Sequence, residues 1–172
     1  SAEGHHSNTV TCVENTPGID YAALSKFLKQ RGLAISNGYG DLKGKTVGML
    51  GLSFKPNTDD MRDAPSLSIS EILLSHGAQV RAYDPVAMEI AKPLMPEVEM
   101  CPDPYSVANG CDAILIITEW NEFKHLDLTQ IRDCMRQPVL LDGRNIYDPK
   151  TMKELGFIYR GIGRGYNGAA LN

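Results

Sequence analysis

The chain has 172 residues, of which 42% are hydrophobic and 22% charged, and its formal net charge is −4. These values are ordinary for a globular protein, and the length suits one domain with a hydrophobic core. A mildly acidic chain without a long basic run has no electrostatic footprint for nucleic acid or anionic lipid, and no apolar stretch approaches the roughly 18 residues of a membrane span. The first residues lack the basic and apolar parts of a signal peptide, so we expect a cytoplasmic protein.

Residues 1–41 are interpreted as an N-terminal extension or linker. Residues 1–18 show no sustained periodicity and are rich in turn-forming residues, which is typical of a loop. A short helix is predicted from Asp20 to Gly32, and residues 37–41 are predicted to form a turn-rich linker. The apolar face of that helix is formed by Tyr21, Leu24, Phe27 and Leu28.

From residue 42 to residue 165, short apolar runs alternate with segments of helical spacing. Strands are predicted at residues 46–51, 79–83, 98–100, 113–117, 139–141 and 157–159. Helices are predicted at residues 65–76, 86–94, 104–109, 128–135 and 149–155. Short connections between such elements imply right-handed crossovers. The predicted fold is therefore a doubly wound α/β domain with a mainly parallel, Rossmann-like sheet flanked by helices, followed by a flexible tail at residues 166–172.

The cysteines and histidines do not predict a metal site. No CxxC pair or close Cys/His cluster occurs, and a chain of this size does not need disulfides to stabilise its core. We therefore expect reduced, structural thiols at Cys12, Cys101, Cys111 and Cys134. The adjacent histidines His5 and His6 are more typical of a solvated chain end than of a metal site.

Charged residues follow the strands of the predicted sheet, where such folds bind ligands. The long polar loop after the first strand carries Lys55 and Arg62, and Arg144 follows the fifth strand. Lys55 and Arg144 converging on one crevice indicate a phosphate-bearing ligand, because Arg suits bidentate phosphate contacts. Two alternatives to a phosphate site remain open: the loop is solvated and its charges are satisfied locally, or Arg144 pairs with Asp142.

Two familiar phosphate-binding motifs fail. The segment Gly44-Lys45-Thr46 resembles the end of a P-loop, but it precedes a strand, whereas a P-loop follows one. The first strand also lacks the dinucleotide fingerprint, because Phe54 stands where the third glycine is needed. Asp84, after the second strand, is either a ribose-binding acid or part of a turn.

A longer stretch of sequence carries a more specific signal. Residues 51–66, GLSFKPNTDDMRDAPS, closely resemble the signature of the C-terminal, UDP-binding domain of the UDP-glucose/GDP-mannose dehydrogenase family. Further motifs follow in the family's order at residues 82–85, 118–120, 141–144 and 159–163. The resemblance covers residues 42–165, and the wording of residues 55–62 is most similar to the UDP-glucose 6-dehydrogenase branch.

The resemblance implies an NAD-dependent oxidation of the sugar C6 alcohol of UDP-glucose to the carboxylate of UDP-glucuronate. Carried over to this chain, Phe54 and Lys55 would contact the nucleotide sugar, and Arg144 would contact its UDP moiety. Arg62 would reach across a domain interface towards NAD. Members of the family associate through a central helical region, so a homo-oligomer is expected only in the complete enzyme.

The chain also departs from the family pattern. The family's nucleophile is a Cys in a Gly-Gly-Ser-Cys segment, which this sequence does not contain, so no catalytic residue is predicted. The NAD-binding domain and the central helical region have no counterpart, and residues 1–41 match no recognisable family segment. We therefore expect the isolated chain to bind a UDP-sugar without oxidising it. The alternatives are the same domain of a GDP-mannose or UDP-N-acetyl-hexosamine dehydrogenase, and a non-catalytic interaction module.

Overall fold

Runs of aliphatic residues buried on both faces build the centre of the sheet. The computed structural model describes residues 35–36, 39–40 and 42–161. The three central strands are fully buried along their length, as expected for a parallel sheet covered on both sides. The strands of this sheet are β3 (Thr46–Leu50), β4 (Gln79–Tyr83), β5 (Glu99–Met100), β6 (Ala113–Ile116), β7 (Val139–Asp142) and β8 (Ile158–Gly161).

All six strands are parallel, in the order β5-β4-β3-β6-β7-β8. The chain first moves outward from β3 to β5, then crosses back to β6 and moves outward to β8. This topology confirms the predicted doubly wound fold. Strand order reverses between β3 and β6, so their carboxyl ends flank the crevice in which such folds bind ligands.

The five helices of the described residues lie within the predicted segments, but each ends one to three residues before its predicted end. Three of them begin at a proline, where the missing N–H costs nothing. Gly77, with φ of +88°, follows the first helix and lets the chain turn towards β4. The helices are α1 (Pro65–Ser75), α2 (Met88–Ala91), α3 (Pro104–Ala108), α4 (Leu128–Cys134) and α5 (Pro149–Glu154), with 3-10 turns at Lys92–Leu94 and Asn121–His125.

Most differences from the prediction concern short elements. The last strand begins at Ile158 because the amide of Phe157 donates to Met152 O at the end of α5. The 3-10 turn at Asn121–His125 was not predicted. Residues 37–41 were predicted as a linker, but β1 (Ile35–Ser36) pairs antiparallel with β2 (Tyr39–Gly40), too short a pairing to leave a periodic signal.

The predicted helix at residues 20–32 and the tail at residues 166–172 lie outside the described residues. Leu42, at the start of the predicted domain, is fully buried. No helix of the described residues has the length and apolar character needed to cross a membrane.

Two hydrophobic clusters cover the faces of the sheet. One contains the α1 residues Ile69 and Leu73 and side chains from β3 and β4. The other contains Phe123, Ile131 and Met152 against the opposite face of β6 and β7. The sheet is thus buried on both sides, and its two ends are the places where polar groups of several strands meet.

Glycine allows β3 and β6 to approach closely at the carboxyl edge. Gly51 follows β3 with φ of +92°, and a Cβ there would lie 2.5 Å from Thr118 Cβ and 2.6 Å from Thr118 N. Real Cβ atoms essentially never approach another heavy atom so closely, and one of the atoms met is backbone. The crevice at the point of strand reversal therefore depends on glycine at this position.

We expect Gly51→Ala to destabilise the fold more than Gly110→Ala. Gly110 has a similar φ of +75°, but a Cβ there would meet nothing within 4 Å. Gly110→Ala should cost about 1 kcal/mol for the positive φ alone, and Gly51→Ala about 1–3 kcal/mol more for the steric overlap. Urea unfolding of the two variants measures the difference in their free energies of unfolding. Equal losses of stability would show that Thr118 shifts without a measurable energetic cost.

Candidate functional site

A single buried carboxylate ties together the chain segments at the carboxyl edge. Asp84 follows β4 and has no exposed surface. Its Oδ2 atom accepts hydrogen bonds from the amides of Leu52 (2.8 Å) and Ser53 (3.1 Å). The same oxygen accepts from Ser53 Oγ (3.3 Å) and from the indole Nε1 of Trp120 (3.0 Å). The loops after β3, β4 and β6 are therefore joined at one oxygen atom.

The other oxygen of Asp84 is also occupied. Its Oδ1 atom accepts from the amides of Val86 (2.9 Å) and Ala87 (2.8 Å). Of the two roles left open for Asp84, ribose binding and turn formation, the structure supports the turn. Because Asp84 is fully buried and both oxygens accept hydrogen bonds from the protein, it is not available to a ligand.

The first two residues of the loop after Gly51 are held on every side. Thr118 Oγ1 donates to Ser53 O (2.8 Å), and Ser66 Oγ at the start of α1 donates to Leu52 O (2.6 Å). Together with the bonds to Asp84, these contacts satisfy the backbone of residues 52 and 53 without water. The backbone of residues 52 and 53 therefore fixes the position from which the rest of the loop begins.

Phe54 and Lys55 emerge directly from that base. Both are exposed, and Phe54 retains 49% of its surface. The amide of Phe54 donates to Asp60 O (2.8 Å), and Ser53 Oγ donates to Lys55 O (2.9 Å), so the loop closes on itself behind them. Asn57, with φ of 64°, makes the turn.

Arg144 reaches the same edge from β7. Its amide donates to Asp142 Oδ1 (3.1 Å), while Asp142 Oδ2 accepts from the amide of Tyr147 (3.0 Å) and from Tyr159 Oη (2.7 Å). Asp142 is fully buried. The alternative in which the Arg144 side chain pairs with Asp142 is therefore wrong, because Asp142 holds only the Arg144 backbone.

The Arg144 side chain instead pairs with Glu119, which follows β6. Its Nε donates to Glu119 Oε2, and about 30% of each side chain remains exposed. Burial raises the pKa of Glu119, but hydrogen bonds, first that of Arg144, and the charges of Arg144 and Lys124 together lower it by more, so the pKa lies below its usual value. The crevice thus holds an ion pair that links the loops after β6 and β7.

Arg62 lies on a different part of the loop. Its guanidinium makes a bidentate pair with Asp60, with Nη2 to Oδ2 at 2.8 Å and Nε to Oδ1 at 3.0 Å. The hydrogen bonds and charge of Arg62 lower the pKa of Asp60 to about 2. Arg62 also lines a groove of about 700 Å³ together with the half-exposed Ile90 and Leu94. The charge of Lys55 also contributes to the lowered pKa of Asp60, so Lys55 lies near this ion pair.

The described cysteines do not form reactive thiolates. Burial raises the pKa of the Cys101 and Cys134 thiols, and that of Cys111 to about 12. Cys111 also donates to Val107 O at 2.7 Å, as a structural thiol does. Among residues 42–161, no three His, Cys, Asp or Glu side chains are grouped as a metal site would require.

The turn after β3 does not fit the pyrophosphate of a dinucleotide. That fit requires a tight glycine-rich turn leading straight into a helix N-terminus. Here residues 51–64 separate β3 from α1, and Leu52 and Ser53 amides are taken by Asp84. The crevice is therefore suited to an anion bound by side chains rather than by helix amides.

The fold and the edge together define a Rossmann-like domain that presents basic side chains at its point of strand reversal. Residues 48–149 match the UDP binding domain of the UDP-glucose/GDP-mannose dehydrogenase family. The chain belongs to this family, as its resemblance predicted. The match covers the strands β4 to β7 and every residue proposed for the site.

Two relatives are named as UDP-glucose 6-dehydrogenases. The chain is 50% identical to the protein of Pseudomonas aeruginosa over 131 residues, covering 73% of the chain and 29% of that protein. It is 40% identical to the protein of Rhizobium meliloti over 159 residues, covering 92% of the chain and 36% of that protein. The chain thus spans about a third of the length of the curated relatives it matches.

Solved structures support the fold. A UDP-D-ManNAc dehydrogenase from Pyrococcus horikoshii superposes with a TM-score of 0.63 at 32% identity, over 84% of this chain and 31% of that one. A UDP-glucose dehydrogenase from Pyrobaculum islandicum gives 0.61 at 33% identity, over 81% and 29%. In both cases this chain corresponds to one part of a much longer protein.

The Rhizobium alignment also bears on the N-terminal extension. It covers 92% of the chain, whereas residues 42–172 make up only about three-quarters of it. The alignment therefore continues into residues 1–41, for which the sequence alone predicts no match to a family segment. Part of the extension is shared with that relative.

We expect Asp84→Ala to be strongly destabilising. It would leave the buried amides of Leu52, Ser53 and Ala87 and the Trp120 indole without their acceptor, at about 3 kcal/mol or more in total. The matched control is Asp148→Ala, which removes an exposed acceptor of the Thr151 amide at the start of α5 and should cost about 1 kcal/mol. Similar midpoint shifts for both variants in urea unfolding would contradict this account of Asp84.

Proposed function

We propose that this chain is the nucleotide-sugar-binding part of a UDP-glucose 6-dehydrogenase and that its carboxyl-edge crevice binds the UDP group. The observation that carries the proposal is the placement of Lys55 and Arg144 at one edge of the sheet, on backbone held by Asp84 and Asp142. The family match and the names of the two bacterial relatives support the substrate.

The diphosphate of UDP suits these two cations. Arg144 presents a planar fork that can bind two phosphate oxygens, whereas Lys55 supplies a compact positive charge that adapts to the second phosphate. Both emerge from anchored backbone, so only their side chains need to become ordered on binding. Such preorganisation reduces the entropic cost of forming charge-assisted hydrogen bonds.

Phe54 supplies the apolar part of the proposed contact. Nearly half of its surface is exposed although its backbone is fixed beside the crevice. An aromatic side chain left in water at a binding edge gains free energy when a ring or sugar face covers it. We assign Phe54 and Lys55 to the nucleotide sugar and Arg144 to its UDP moiety.

The Arg62 face is proposed to meet the rest of the enzyme. The groove beside Arg62 combines a charged rim, Asp59, Asp60 and Asp63, with the exposed apolar side chains Ile90 and Leu94. Exposed apolar residues grouped with charges are typical of interdomain contacts. We propose that the NAD-binding part packs here and that Arg62 points towards NAD.

The proposed reaction divides between this chain and that other part. In the complete enzyme, two NAD would supply the oxidant for the two hydride transfers, and the family's cysteine segment would supply the nucleophile. The residues of this chain bind the UDP group and orient the sugar. In this scheme the described residues contribute binding and orientation, which accelerate a reaction by fixing the reacting atoms in place.

We expect UDP to bind the chain and Arg144→Ala to weaken the binding by about tenfold or more, because one charge-assisted contact is worth roughly 1.5–3 kcal/mol. Isothermal titration calorimetry measures both affinities. The control is Arg136→Ala, which removes the same charge from an arginine paired with Asp112 at the amino edge. Equal affinities for wild type and Arg144→Ala would contradict the site, and tighter binding of GDP than of UDP would favour a GDP-mannose enzyme.

We also expect no NADH from the chain incubated with NAD and UDP-glucose. Two of the three described thiols are buried and the third is partly buried, all three have raised pKa values, and no dinucleotide fingerprint follows β3. Absorbance at the NADH band measures the rate, and full-length enzyme from one of the relatives serves as the positive control. Turnover by this chain alone would show that it contains the catalytic parts.

A further inference from the structure

The crevice proposed for a diphosphate also contains a negative charge. Glu119 lies between two residues that are locked in place: Thr118 donates to Ser53 O, and Trp120 donates to Asp84. Its own side chain makes no such buried contact and extends to Arg144 instead. A carboxylate at an anion site opposes binding, because it repels the ligand and occupies the donor that the ligand needs.

Glu119 is ionised at neutral pH. The pairing with Arg144 holds the pKa of Glu119 below its usual value. The pair is only about 30% exposed, so its attraction is less screened than that of a fully exposed pair. A phosphate that binds Arg144 must therefore replace an existing partner rather than fill a free donor.

We infer that Glu119 is an internal competitor that occupies Arg144 until the diphosphate displaces it. This inference rests on the proposed binding of UDP through Arg144. The Arg144 backbone stays fixed by Asp142, so the exchange moves only the side chain. Without ligand, the Arg144 guanidinium after β7 donates to Glu119 after β6. With ligand bound, a phosphate oxygen replaces Glu119 as the acceptor.

Two consequences follow from the exchange. Part of the attraction between UDP and Arg144 is offset by the lost ion pair, so the affinity is lower than the cations alone would give. Glu119 thus acts on the ligand through Arg144, and its removal should tighten the binding of anions and leave neutral ligands unaffected.

The test is Glu119→Gln, which keeps the shape of the side chain and removes its charge. We expect UDP to bind at least about threefold more tightly than to wild type, the effect of releasing a partly exposed ion pair. Uridine, which has no phosphate, should bind both proteins equally. Calorimetric titrations with UDP and uridine give the four affinities, and urea unfolding checks that the variant remains folded.

The matched control is Glu122→Gln. Glu122 lies three residues further on and accepts a hydrogen bond from Tyr83 Oη (2.9 Å) rather than from Arg144. This variant changes the net charge by the same amount, so it should leave the UDP affinity at the wild-type value. Equal tightening by both variants would overturn the inference, since the effect would then come from net charge.

The outcomes also separate this inference from the proposed function. UDP binding that depends on Arg144 but is unchanged or weakened by Glu119→Gln would overturn the competitor role and leave the UDP site standing. UDP binding that does not depend on Arg144 would overturn both. A gain that appears equally with uridine would show that Glu119 shapes the crevice rather than competing for Arg144.

Discussion

The Asp84 carboxylate is the interaction on which the carboxyl edge depends. A buried charge is tolerated only when hydrogen bonds replace its lost hydration, and the described residues supply six of them. Those donors belong to the segments that follow β3, β4 and β6. The position of the Phe54 and Lys55 loop relative to Trp120, and so to Glu119, is consequently set by this carboxylate together with the hydrogen bond from Thr118 Oγ1 to Ser53 O.

The kind of donor at each buried carboxylate explains which cations remain for a ligand. Among the described residues, every donor to Asp84 and Asp142 is neutral: amide, hydroxyl, phenol or indole. At the opposite edge, the buried Asp112 accepts instead from the guanidinium of Arg136, with the Thr46 amide and Gln137. The amino edge thus uses its cation for structure. The carboxyl edge satisfies its buried acids without one, so neither Lys55 nor Arg144 is needed by a buried acid, and Arg144 pairs with the partly exposed Glu119 instead.

The sequence predicted the positions of the strands well and the pairing of charged side chains poorly, for a physical reason. Strands such as Ala113–Ile116 are found because burial on both faces leaves a continuous apolar run, and strand ends then place Lys55 and Arg144 at one edge. The pairing of Arg144 with Glu119 rather than Asp142 depends on side chains 25 residues apart, which no local period encodes. The sequence likewise left two roles open for Asp84, ribose binding and turn formation. The signal that favoured the turn was an acid placed before Pro85 at the end of a buried strand.

The openness of the crevice limits what this chain determines by itself. About 30% of the Arg144 and Glu119 side chains is exposed, as is nearly half of Phe54. Cations in contact with water bind an anion weakly, because solvent screens the attraction and competes for the donors. A surface that covers the crevice would strengthen the Arg144 contact and bury Phe54 together. In the proposed site, this chain therefore supplies the charges that bind the ligand, and a covering surface would strengthen those contacts.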